Sequence, residues 1–122
     1  MMPRILIVED HRDFRQAVVH FLELNNVKAH IMQACSGEEG VLIARKVKPR
    51  VVIMDFCLGG INGIEAARQI KKYDPKCNII MLTMFDAKEI TLVKRNRVIK
   101  TFIGKSELFD QLIPAIDKAL YN

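Results

Sequence analysis

Five side chains in this sequence could do chemistry, and all five follow short apolar runs. Glu9 and Asp10 follow Arg4–Val8, and Asp55 closes Arg50–Met54. Thr83 closes Asn78–Leu82, and Lys105 follows Lys100–Ile103 across Gly104. A single aspartate at the end of an apolar run is ordinary, since most such residues begin a turn or cap a helix. Company changes the reading. Three carboxylates held close together repel and raise one another's pKa. That cost is relieved if a hard divalent cation sits among them. Oxygen ligands in an open site suit Mg2+, which keeps several waters and accepts a phosphate oxygen. Thr83 adds a hydroxyl donor and Lys105 a fixed positive charge. A carboxylate nucleophile, a metal, a hydroxyl and an ammonium together suit phosphoryl transfer to Asp55, because aspartate can form an acyl phosphate.

These groups meet only if the runs they follow are neighbouring strands pointing the same way. Val51, Val52 and Ile53 lie in an unbroken apolar run, the pattern of a strand covered on both faces in a parallel sheet. Arg4–Val8 and Asn78–Leu82 read alike, and Lys28–Ala34 reads as a weaker edge strand. Helical patterns fill the intervals. Phe14, Ala17, Val18, Phe21 and Leu22 form a stripe between Asp13 and about Asn25. Ser36 with Glu39 forms a capping box for a helix through Ala44. After the turn residues Gly59, Gly60 and Asn62-Gly63, a helix over Gly63–Lys72 presents Ile64, Ala67 and Ile70. Asp86 with Glu89 is a second capping box, ahead of a ragged stripe of Ile90, Leu92, Val93 and Val98. Ser106 is expected to cap a last helix with the stripe Phe109, Leu112, Ile113, Ile116 and Leu120. Pro114 lies inside that helix, where proline costs ~3 kcal/mol, so a kink is expected. Strand–helix alternation occurs five times, which implies an α/β fold with a doubly wound five-stranded parallel sheet and five helices. Right-handed crossovers then bring every strand end to one edge, where open α/β sheets place their chemistry.

Composition bounds the rest. The 122 residues suffice for one domain over residues 1–122, and half are apolar. No apolar run approaches a membrane span, so a cytoplasmic protein is expected. Cys35, Cys57 and Cys77 show no CxxC spacing and read as reduced thiols. His11, His20 and His30 form no ligand pattern. The net charge of +5 permits an acidic partner or nucleic acid, but no dense basic run supports either.

LIVED near the start, MDFCLGGING in the middle, MLT after the fourth strand and FIGK before the last helix together resemble the response-regulator receiver domain of two-component signalling. The resemblance spans essentially the whole chain. It implies a flavodoxin-like fold like that of a chemotaxis regulator, with strand order 2-1-3-4-5. It also implies that Asp55 is the phosphoacceptor for a histidine kinase or phosphotransfer protein. By the same resemblance, Mg2+ is held by Glu9, Asp10, Asp55 and the backbone carbonyl of Cys57. Thr83 and Lys105 bind the phosphoryl oxygens, and Phe102 occupies the position of an aromatic switch residue. The output partner or output domain is unknown. The face of the fourth helix, last strand and last helix is the expected regulatory surface and a possible homodimer interface. Three departures stand out: Gly59 where proline is frequent, Met84 where a small residue is common, and Arg97, Val98 and Ile99 in place of small residues and glycine. Gly59 is expected to loosen its loop.

A Mg2+-dependent hydrolase with an aspartate nucleophile is the main alternative. Such phosphatases usually carry a second acid two residues on, where this chain has Cys57. A flavin module of the same fold needs a hydroxyl-rich phosphate loop, and EDHRDF is acidic. No helix-turn-helix follows the receiver pattern, so direct nucleic-acid binding by these residues is not expected. The protein is therefore read as no enzyme beyond its own phosphorylation and dephosphorylation. Cys57 and Phe85 flank the acceptor and cannot orient an attacking water, and Phe85 with Met84 should crowd its approach. Slow self-dephosphorylation is expected, suited to a slow output such as transcription.

Overall fold

The computed structural model describes residues 2–121. Strands β1 (Arg4–Val8), β2 (His30–Ala34), β3 (Val51–Asp55), β4 (Asn78–Thr83) and β5 (Thr101–Gly104) alternate with helices α1 (Arg12–Leu24), α2 (Gly37–Val47), α3 (Gly63–Tyr73), α4 (Ala87–Arg95) and α5 (Leu108–Tyr121). The strands form one sheet in the order β2-β1-β3-β4-β5, and every pairing is parallel. Alternate strand residues face opposite sides. Leu6, Val8, Val52, Met54 and Met81 meet Val41 and Ala44 of α2 and Ala66, Ala67 and Ile70 of α3. Ile5, Ile7, Val51, Ile53, Ile80 and Leu82 meet Val18 and Leu22 of α1 and Leu108, Leu112, Ile116 and Leu120 of α5. All five residues of β3 are buried, as its unbroken apolar run requires of a central strand.

The register brings the polar strand ends level. Val8 lies opposite Met54, Asp55 opposite Leu82 and Thr83 opposite Gly104. Glu9, Asp55, Thr83 and Lys105 therefore leave the sheet within about one residue of a common line. The β3–α3 loop folds back on this edge because Gly63 has no side chain. Its N–H donates to the Phe56 carbonyl at 3.0 Å. A Cβ there would stand 2.6 Å from the Asp55 carbonyl oxygen and 2.9 Å from the Met81 sulfur.

Several local expectations are corrected. The last helix begins at Leu108 after a 3-10 turn over Lys105–Glu107, and Ser106 makes no capping hydrogen bond. The buried stripe of α5 is Leu108, Leu112, Ile116 and Leu120, with Ile113 partly buried against the same core, so Leu108 takes the place expected of Phe109. Phe109 is 74% exposed, with its ring edge-on to Phe21 at 5.1 Å. The helix runs through Pro114 to Tyr121. Ala17 is exposed, leaving Val18 and Leu22 as the buried residues of α1. The second helix runs three residues past Ala44, to Val47, and β2 starts at His30 rather than Lys28. The last strand is shifted one residue, to Thr101–Gly104. Val98 falls outside α4. Asn96 closes that helix, its amide oxygen accepting from the N–H groups of Val98 and Ile99 at 2.7 and 2.6 Å.

Candidate functional site

At the carboxyl edge of the sheet, Glu9, Asp10 and Asp55 each offer a carboxylate oxygen within 4.8 Å of the others. Glu9 and Asp55 are buried, while Asp10 is exposed at the rim. Each is fixed by backbone donors. Glu9 Oε2 accepts from the His11 N–H at 2.9 Å, and Asp10 Oδ2 from the Gly59 N–H at 3.1 Å. Asp55 Oδ1 accepts from the Cys57 N–H at 3.3 Å. The Gly59 bond matters for the loop. A proline there would have no N–H to give, so glycine ties the loop to Asp10 rather than loosening it. Glu38 Oε2 holds the same loop through the Ile61 N–H at 3.3 Å.

Lys105 reaches across the edge. Its ammonium donates to Asp55 Oδ2 at 3.2 Å, lies 3.8 Å from Glu9 Oε1 and stands 4.7 Å from the Phe14 ring centroid. Phe14 thus serves as a platform for the lysine on the outer turn of α1. In the sequence, Phe14 shows only as one member of a helix stripe. Thr83 is fully buried, and its hydroxyl accepts from the Phe85 N–H at 3.0 Å and donates to Glu89 Oε1.

The acidic trio is short of positive charge. Burial pushes Glu9 up to about 8, against the pull of the His11 N–H; the Asp55 charge and hydrogen bonding with Asp10 and Asp55 add to the rise. Burial also pushes Asp10 upward, but the Gly59 N–H, a hydrogen bond from Glu9 and its own backbone hold it below the usual carboxylate range. Glu9 Oε1 is buried without a hydrogen-bond partner. Lys105 is one cation against three acids. An orphaned carboxylate oxygen within a three-carboxylate cluster is the donor set a hard divalent cation takes, so the residues present fit such an ion.

Glu9, Asp10, Asp55 and Lys105 therefore lie together at this edge, and Thr83 ends the neighbouring strand with its hydroxyl on Glu89. Cys57 lies beside them, with its N–H on Asp55 and its thiol exposed. Phe102 is half-buried and packs against the face covered by α2 and α3. Phe85 adopts a left-handed backbone, φ 54°. Its ring lies against Gly104, 3.1 Å from where a Cβ would stand. A cavity of about 400 Å3 lies at the opposite end of β4 and β5, between Lys71, Lys100 and Lys118.

Sequence reasoning missed Glu89. Asp86 Oδ1 does accept from the Glu89 N–H at 2.8 Å, as a capping box requires. The Glu89 carboxylate does not complete the box, however. It turns inward to Thr83 and accepts from the Met84 N–H at 3.1 Å.

A sequence model described as the response regulator receiver domain matches residues 5–117. The chain belongs to this family. Over 86 residues, the receiver is 41% identical to the transcriptional regulatory protein LiaR of Bacillus subtilis, a match covering 69% of this chain and 40% of that protein. The chain thus matches well under half the length of this relative. Among solved structures, a LuxR-family two-component response regulator from Aurantimonas superposes with a TM-score of 0.84 at 28% identity, over 97% of this chain and 84% of that one. A receiver domain protein from Clostridium thermocellum shares the fold, with a TM-score of 0.86 at 24% identity, over 98% of this chain and 94% of that one. Among the described residues, no helix of this receiver is long and apolar enough to cross a membrane.

Proposed function

We propose that this receiver takes a phosphoryl group onto Asp55 from the phosphohistidine of a histidine kinase or phosphotransfer protein. Mg2+ would be held by Glu9, Asp10, Asp55 and the carbonyl of Cys57. The observation that carries the reading is the Asp55 carboxylate. It is buried at a central strand end, bonded by Lys105 at 3.2 Å and flanked by two further acids. Bound among these carboxylates, the metal would supply the positive charge that lets an anionic phosphoryl approach them. An Asp55 oxygen attacks phosphorus, the donor's phosphorus–nitrogen bond breaks, and the histidine nitrogen leaves with the electron pair. Lys105 holds the acceptor in place beforehand and faces the new charge afterwards. The Thr83 hydroxyl binds a phosphoryl oxygen.

The proposed product is a signal, not a released chemical, and the domain acts on no other substrate. Catalysis is limited to its own phosphorylation and slow dephosphorylation. The surface of α4, β5 and α5, with Phe102 beneath it, is the proposed meeting place for an output partner, an output domain or a second copy. Control of transcription fits the relative named above.

Incubation with acetyl phosphate and Mg2+ tests the reading. Intact mass should rise by one phosphoryl group, and both chelation of the metal and Asp55→Asn should abolish the rise. An undiminished rise in Asp55→Asn would refute it.

A further inference from the structure

The helix beside the site is anchored through a charged side chain. Among the residues of α4, the buried one is Glu89, 6% exposed. Leu92 and Ile90 are more than one-third exposed, and Met84 and Phe85 ahead of the helix are exposed too. The inward side of α4 is therefore fixed by one buried carboxylate, with Val93, partly buried against the core, as its apolar contact. A buried carboxylate is costly unless paired with charge or fully hydrogen-bonded. Among the described residues no cation pairs with Glu89. It accepts from the Thr83 hydroxyl and the Met84 N–H.

We propose that Glu89 is a positioning residue that holds Thr83 away from phosphoryl binding and clamps α4 until Asp55 is modified. This inference rests on the function proposed for Asp55 and adds a competitor for its threonine. A hydroxyl has one proton to donate, and here Glu89 receives it. A phosphoryl oxygen on Asp55 can take that proton only when Glu89 gives it up. The exchange brings a second effect. A new anion at the end of β3 faces a strand end whose neighbour is a buried, uncompensated carboxylate, and like charges in a low-dielectric setting repel strongly. Losing the Thr83 bond leaves Glu89 with the Met84 N–H, too little to keep an ionised group buried. An exit is at hand: a cavity of about 230 Å3 beside α4 is lined by Glu89, Asp86, Lys88 and Leu92 together with Phe56 and Asn62. The carboxylate can turn into it toward water and Lys88, taking the first turns of α4 with it. Phosphoryl binding and release of α4 are thus two sides of one exchange at Thr83.

Beryllium fluoride with Mg2+, a phosphoryl mimic on aspartate, tests the exchange in the intact chain. Glu89→Gln keeps the shape but weakens the bond, and should tighten beryllium fluoride binding about tenfold, ~1.4 kcal/mol. Glu89→Ala should tighten it at least as much despite lower stability, which a purely structural role would not produce. In a Thr83→Val background Glu89→Gln should have no effect. Unchanged or weaker binding in Glu89→Gln, or a gain that persists without the Thr83 hydroxyl, overturns the proposal. Amide hydrogen exchange without any phosphoryl mimic is the second readout. Residues 87–92 should exchange faster in both Glu89 variants than in wild type, and equal rates overturn the clamp. If wild type binds no beryllium fluoride, the Asp55 reading fails, and exchange alone decides the clamp.

Discussion

Helices α3 and α4 begin alike and are held differently. Each follows a strand that ends at the site, and each is capped by an Asx side chain that accepts from a glutamate N–H: Asn62 from Glu65, and Asp86 from Glu89. Beyond the cap they part. In α3, Glu65 turns out to Arg68 at 2.6 Å, while Gly63, Ala66, Ala67 and Ile70 are buried. In α4, Glu89 turns in, Ile90 and Leu92 stay out, and Val93 is only partly buried. Apolar burial is indifferent to a charge arriving on Asp55. A buried carboxylate is not. On the proposed exchange at Thr83, α3 is the fixed wall of the site and α4 the element a phosphoryl group would move.

Stability measurements give the largest contrast. Ile70→Ala should cost about 2–5 kcal/mol by emptying a packed core position. Leu92→Ala should cost about 0.5 kcal/mol or less, as at other exposed sites. Denaturant unfolding monitored by circular dichroism reads both, and equal losses would erase the distinction. The caps should differ next. Asn62→Ala should lower global stability by about 1 kcal/mol, a typical cap loss. Asp86→Ala should chiefly speed exchange within α4, since that end can open without the rest. A matching fall in the global unfolding midpoint for Asp86→Ala would contradict local opening.

The smallest effect is a pH dependence with a definite sign. The Glu89 N–H, chiefly, holds the Asp86 carboxyl below its usual range. A group depressed on folding contributes stability above its unfolded pKa and loses it as pH falls through the folded value. The α4 cap should therefore weaken in acid below the ordinary aspartate range, while the uncharged Asn62 cap of α3 persists. Amide NMR shifts of Glu89 and Glu65 followed through that range read the contrast, and identical titrations would remove it.

Much of this architecture was legible in the sequence because its causes are local. β3 and β4 read as buried strands from unbroken apolar runs, and the site from the polar residues that end them. Three features were not legible, each for a physical reason. Ser36-x-x-Glu39 and Asp86-x-x-Glu89 look alike on paper. Glu39 reaches back to the Cys35 N–H at 2.8 Å, whereas Glu89 turns into the molecule. A glutamate's direction depends on what lies below it, and only the assembled sheet puts Thr83 there. The stripe of α5 was legible at Leu112, Ile113, Ile116 and Leu120, but its first member was not, because the 3-10 turn after β5 starts the helix at Leu108 and leaves Phe109 outside. The Lys105–Phe14 contact joins residues distant in sequence, and helical spacing carries no trace of it.

The central claim is that Asp55, and no other carboxylate of the trio, carries the phosphoryl group. Borohydride reduces an acyl phosphate at aspartate to homoserine, which leaves a permanent mark on the acceptor. After acetyl phosphate, Mg2+ and borohydride, peptide sequencing by mass spectrometry should find homoserine at position 55 alone, with Glu9 and Asp10 intact. Reduction at Asp10 or Glu9, or no reduced residue in a protein whose mass had risen, would contradict the account.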